Sequence, residues 1–105
     1  MIGMKVVKKD GTRQDFSREK LMAGLASACS KRPVSNANLE KIVDEVENAL
    51  NDQRNHEIST NMIGEIVMER LKKLDKVAYV RFASVYRDFT DIKSFTEEVN
   101  KIDNE

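Results

Sequence analysis

The sequence has 105 residues, the size of one domain with a modest core. Lys and Arg total 18, as do Asp and Glu, so net charge is zero and the basic surplus needed for non-specific DNA or anionic-membrane binding is missing. No apolar stretch reaches the length of a membrane span, the N-terminus does not read as a signal peptide, and the single cysteine, Cys29, excludes an internal disulfide and a cysteine-cluster zinc site; the expected setting is the reducing cytoplasm.

Residues 5–9 and 12–16 read as two short strands around Asp10-Gly11, a dipeptide that tolerates the positive φ of a tight hairpin. Two registers are open: a two-residue turn pairs Lys9 with Thr12, and a three-residue bulged loop pairs Lys8 with Thr12. The choice swaps which lysine faces the core. Ser17 caps a first helix that runs to about Cys29. Leu21, Leu25 and Ala28 form its stripe, with Met22 and Cys29 beside them, and Cys29 there reads as a small buried hydrophobe. Lys20 falls in the first turn, where a cation opposes the helix dipole and backbone N–H groups are free. Lys8, Lys9 and Lys20 around one helix start therefore read as a receiver for a phosphate chain. The plainer alternative is solvated lysines that keep a strand edge from pairing.

The segment Ser30-Lys31-Arg32-Pro33-Val34 breaks the first helix, and a second opens near Ser35 or Asn36. Leu39, Ile42, Val43, Val46 and Leu50 share one face of it, and Glu40, Lys41, Asp44, Glu45 and Glu47 form the solvated opposite face. Residues 51–55 read as a polar loop. His56-Glu57-Ile58-Ser59 is a short extended segment and a candidate third strand. Ser59 or Thr60 then caps a third helix with Ile63, Ile66, Val67, Leu71 and Leu74 as its stripe. Gly64 inside that helix costs about 1 kcal/mol relative to alanine and marks a close approach by a helix, a backbone or a ligand. After Asp75-Lys76, a fourth helix from Val77 to about Asp88 is apolar almost all round, which predicts a central, buried element. Ser94-Phe95-Thr96-Glu97 is a capping-box pattern that opens a fifth helix, with Phe95, Val99 and Ile102 on one face. There is no internal repeat and no second domain; residues 1–105 read as one unit.

Catalytic signatures are missing. Neither G-x-x-x-x-G-K-[ST] nor G-x-G-x-x-G occurs, and His56-Glu57 lacks the second histidine of a zinc protease motif. One His and one Cys argue against a histidine triad or a transition-metal cluster, His56 reads as a surface loop residue, and no carboxylate pair or activated nucleophile stands out. The expectation is a binding protein and not an enzyme. Tyr79 and Tyr86 have two readings, walls for a purine or core packing with a bonded hydroxyl. Arg81 reads as a packed stem with an ion-paired head.

Val6-Val7-Lys8-Lys9-Asp10-Gly11, followed by Phe16-Ser17-Arg18-Glu19-Lys20-Leu21, resembles the opening of the ATP-cone, a small nucleotide-binding regulatory domain. Lys31-Arg32-Pro33-Val34-Ser35 and the run from Leu74-Asp75-Lys76-Val77-Ala78-Tyr79 through Arg87-Asp88-Phe89 are more specific. They resemble the ATP-cone of the bacterial ribonucleotide reductase repressor family more than the cone on the reductase. The resemblance covers about residues 5–102. It implies an α+β fold, with the hairpin and a possible third strand packed on four to five helices. It implies ATP or dATP as ligand, usually with Mg2+, and a nucleotide-dependent change of oligomeric state. It places a backbone contact near Val6, phosphate-binding cations at Lys8, Lys9 and Lys20, and further nucleotide contacts at Gln14, Ser17 and Thr60.

The repressor family also carries an N-terminal zinc ribbon built on four cysteines, which reads DNA. This sequence starts Met1-Ile2-Gly3-Met4 without it, so the expectation is no zinc site and no DNA binding by this chain alone. The partners expected are adenine nucleotides and further copies of the chain, with no membrane. The alternative is an interaction module that keeps the cone fold without binding nucleotide.

Overall fold

A computed structural model describes residues 4–52, 57–87 and 92–103, the side chains of Ile92, Phe95 and Asp103 excepted. The order is β1 (Lys5–Val7), β2 (Arg13–Asp15), α1 (Arg18–Ala28), α2 (Asn36–Asp52), β3 (Glu57–Ser59), α3 (Thr60–Leu74), α4 (Lys76–Tyr86) and α5 (Ile92–Asp103). The architecture is α+β, as expected. His56, residues 53–55 of the expected loop, Asp88 and the Phe95 side chain lie outside the described residues.

The hairpin takes the longer of the two registers. Lys8 N–H donates to Thr12 O at 2.8 Å, Gly11 N–H donates to Lys8 O at 2.9 Å, and Gly11 has φ 87°. That is a tight turn closed by a left-handed residue, and glycine meets its positive φ without a Cβ clash. Asp10 braces the loop, its Oδ1 accepting Thr12 N–H at 2.9 Å and Thr12 Oγ1–H at 2.6 Å. These two bonds, the hydroxyl's first, hold the Asp10 carboxyl below its ordinary pKa.

Strand β1 is the centre of the sheet, antiparallel to β2 and parallel to β3. Val6 stands opposite Gln14 on one side and Ile58 on the other. Because side chains alternate between faces, Val6, Gln14 and Ile58 share the face turned toward the helices. The opposite face carries two ion pairs, Lys5 with Asp15 and Arg13 with Glu57 at 2.6 Å. Lys8 continues the inner alternation of Val6, and Lys9 does not.

The core is one cluster built mostly from the predicted stripes. It contains Leu25 and Cys29 of the first helical segment, Leu39 to Leu50 of α2, Ile58, Val67, Met68 and Leu71 of α3, Ala78, Tyr79 and Ala83 of α4, and Ile102 of α5. Leu21 and Met22 are half-buried against it. The Ser17 and Ser59 hydroxyls accept the N–H groups of Lys20 and Met62, at 3.2 and 3.1 Å, and so cap α1 and α3. Asp75 caps α4 by accepting Ala78 N–H at 2.9 Å, and Arg32 grips the same carboxylate at 3.1 and 3.0 Å. No described helix is long and apolar enough to cross a membrane.

Four expectations need correction. First, α4 is not buried all round: Ala78, Tyr79 and Ala83 are covered, but Val77 is 40% and Val85 81% exposed. Burial needs neighbours on every side, and α1, α3 and α5 pack against only part of its circumference. Second, α2 continues through Asp52, so Asn51 and Asp52 are helical; neither Gly nor Pro stops the ladder there. Third, α5 begins at Ile92, which places Ser94 inside the helix and not at its cap. Fourth, the Arg81 head is not ion-paired among the described residues. It donates to the carbonyls of Ala28 at 3.3 Å and Ser30 at 2.7 Å, a cation closing the negative end of α1.

Candidate functional site

The start of α1, the start of α3 and the inner face of the hairpin meet around one cavity of about 360 Å³. Val6, Lys8 and Gln14 line it from the sheet, Phe16, Ser17, Lys20 and Leu21 from the start of α1, and Thr60 and Ile63 from the start of α3. Six of the seven residues singled out from the sequence, Val6, Lys8, Gln14, Ser17, Lys20 and Thr60, share this space. Asp15, Phe16, Leu21 and Ile63 also line it. None of the four was singled out as a site residue, because apolar walls look like any other core position.

Lys9 is separate. It lines a neighbouring groove of about 300 Å³ with Asn61, Glu65, Tyr86 and Arg87. The two spaces adjoin in sequence at two points, Lys8 beside Lys9 and Thr60 beside Asn61. Which lysine goes where follows from the bulged register of the hairpin.

The cations around the cavity divide into those already paired and those that are not. Arg18, next to the cap, is spent on Asp44 at 2.9 Å and on Glu47 of α2. Lys5 and Arg13 are spent on the outer face of the sheet. Lys8, Lys9 and Lys20 are exposed and have no ion pair among the described residues. Two helix N-termini add their dipoles and first-turn N–H groups to the same region. The combination is suited to an anion with several oxygens and an apolar end, the anion at Lys8 and Lys20 and the apolar end against Phe16, Leu21 and Ile63.

Neither tyrosine lines the cavity between the hairpin, α1 and α3. Tyr79 is 4% exposed and its hydroxyl donates to the buried Glu98 carboxylate. Lys72 Nζ lies 5.9 Å from the Tyr79 ring centroid. Tyr86 packs its ring on Gly64, and its hydroxyl donates to Asn61 O at 2.9 Å and lies 3.0 Å from Asn61 Oδ1. Burial, and then the nearby Glu65 charge, raise the Tyr86 pKa. The close approach marked by Gly64 is thus made by an aromatic ring of α4. The Cys29 thiol is buried and its pKa is raised, chiefly by burial, which suits a packing role. No group of three His, Cys, Asp or Glu side chains placed to hold a metal ion occurs among the described residues.

The fold and the cavity define a small α+β domain in which a three-stranded sheet and two capped helix starts border one space, with Lys8 and Lys20 exposed along it. Residues 4–92 match the ATP cone domain, and the chain belongs to that family. Within it, the chain is similar to proteins named transcriptional repressor NrdR. It is 55% identical to the one from Caldicellulosiruptor saccharolyticus over 97 residues, covering 92% of this chain and 63% of the relative. It is 60% identical to that of Oceanobacillus iheyensis over 99 residues, covering 94% and 63%. It is 59% identical to that of Pelotomaculum thermopropionicum over 97 residues, covering 92% and 58%. The chain spans less than two thirds of the length of these relatives.

Proposed function

We propose that this chain is a nucleotide-sensing regulatory domain that binds ATP or dATP in the cavity between the hairpin, α1 and α3, and that occupancy changes its state of association. The observation that carries the reading is the convergence of Lys8, Lys20 and two helix N-termini on one partly apolar space. Its volume of about 360 Å³ falls within the roughly 300–1,000 Å³ of small-molecule sites. Gln14, Ser17 and Thr60 supply amide and hydroxyl groups at its rim, and Val6 supplies floor. Lys8 and Lys20 hold the phosphates, and the apolar walls hold the nucleoside.

Magnesium enters in this reading with the nucleotide. Mg2+ is commonly held by substrate phosphates and one or two carboxylates. Asp15 at the rim is the carboxylate nearest to hand, and Lys5 already engages it. The names of the relatives support a regulatory role in transcription. By that likeness the chain is the sensing part of a repressor, and the output is a choice between assemblies. A ligand can bias that choice only by its differential affinity for the two states.

Calorimetric titration with ATP and dATP, with Mg2+, tests the binding. At a hundred times its Kd a nucleotide stabilises the fold by about 2.7 kcal/mol, and adenosine, without phosphates, does far less. Light scattering at matched concentration, with and without nucleotide, tests the output. The absence of binding heat and of a melting shift at millimolar ATP refutes the ligand. An unchanged mass with bound nucleotide refutes the output.

A further inference from the structure

The buried contacts of α5 include a charge. Glu98 is 5% exposed. Its carboxylate accepts the Tyr79 hydroxyl of α4, lies 3.7 Å from Nε of Arg87 at the end of α4, and lies 3.6 Å from Nζ of Lys101 one turn on. Arg87 is shared. Its Nη2 is 3.5 Å from Glu65 of α3, and Arg87 lines the groove that holds Lys9 and Asn61. One guanidinium therefore borders both the neutralising shell of the α5 carboxylate and a space next to the proposed phosphate site. We propose that Arg87 and Glu98 form a latch: phosphate oxygens that reach the Lys9 groove compete with Glu98 for Arg87, and nucleotide binding thereby loosens α5 from α4.

The inference rests on the nucleotide reading above and adds the route by which occupancy reaches α5. The chemistry favours competition. A phosphate offers Arg87 a bidentate, charge-assisted partner, whereas Glu98 is met only at 3.7 Å. Lys9 gives the incoming anion a second cation. Glu65 is 63% exposed on its side chain and can swing into solvent. Glu98 is buried and cannot follow, so it loses a counter-charge in place, the costly case for an ion pair. Release of α5 would uncover Tyr79 and the Ile102 seat, apolar surface available to another copy.

Hydrogen exchange of the α5 amides in the intact chain, with ATP and Mg2+ and without, reads the latch. Titration calorimetry on the same samples reports binding. Losing one pair worth roughly 1.4 kcal/mol corresponds to about tenfold faster exchange. The expected result is about tenfold faster exchange across α5 on ATP binding, with α2 unchanged or slower. In Glu98→Gln and in Arg87→Gln, exchange of α5 is already fast without ATP and gains little on its addition. A purely structural pair would make the variants fast too, but would leave α5 of the parent indifferent to ATP. Binding heat without a change in α5 overturns the latch and spares the nucleotide site. No binding heat overturns both. If one variant fails to fold, the other and the parent's ATP response still decide.

Discussion

Replacing Gly64 by alanine tests the packing that joins α3 to α4. A Cβ built on Gly64 stands 2.6 Å from Cε2 of Tyr86 and nearer still to Cε1 and Cζ. The ring is wedged, because its hydroxyl is tied to Asn61 one turn earlier in α3. It must move, which loses those bonds, worth about 0.5–1.5 kcal/mol. Overpacking adds about 1–3 kcal/mol. Alanine returns about 0.8–1.0 kcal/mol of helix propensity. The net expectation is a loss of about 2 kcal/mol, or a fall in Tm of roughly 10 °C for a domain of this size. Thermal and urea unfolding of Gly64→Ala measure it. A double-mutant cycle isolates the cause: in a Tyr86→Ala background the ring is gone, and Gly64→Ala turns stabilising by about 1 kcal/mol. A Gly64→Ala protein more stable than its parent, or the same loss in both backgrounds, refutes the reasoning.

Lys8→Ala and Lys20→Ala should each weaken ATP about tenfold or more, since charge-assisted hydrogen bonds contribute roughly 1.5–3 kcal/mol; titration calorimetry reads this, and Lys41→Ala on the exposed face of α2 is the silent control. Arg81→Ala should cost about 1 kcal/mol in urea unfolding through the lost closure of the α1 carbonyls, with nucleotide affinity unchanged. The Asp75 pKa is lowered, first by the Ala78 N–H and then by Arg32. A lowered folded pKa gives stability that is present above the unfolded value of about 3.9 and lost as pH falls through the folded value. Unfolding between pH 5 and pH 2 should therefore show a steeper loss in the parent than in Asp75→Asn, which keeps a capping side chain but titrates no proton. Equal slopes would remove Asp75 from the acid response.

The order of elements, the Ser17 cap, the Asp10-Gly11 turn and most of the core stripes were legible in the chain because they rest on local rules. A hydroxyl before a helix, an apolar residue every third or fourth position and Asp-Gly between extended runs act through neighbours a few residues away. Six cavity residues were legible for a second reason, the family resemblance, which supplied Val6, Gln14 and Thr60 where charge patterning alone singled out the lysines. What depends on partners distant in sequence was not legible. The hairpin register, and with it the parting of Lys8 from Lys9, was open between two turn lengths, and the folded chain takes the one that pairs Lys8 with Thr12. The exposure of Val85 follows from how many helices reach α4, a count absent from α4 itself. The Arg81 head could have met a carboxylate as easily as the carbonyls of α1, and only the crossing of the two helices decided. Gly64 announced a close approach, but its visitor, Tyr86, lies more than twenty residues away. Periodicity records which face of an element is apolar; which neighbour covers that face is a property of the packed chain.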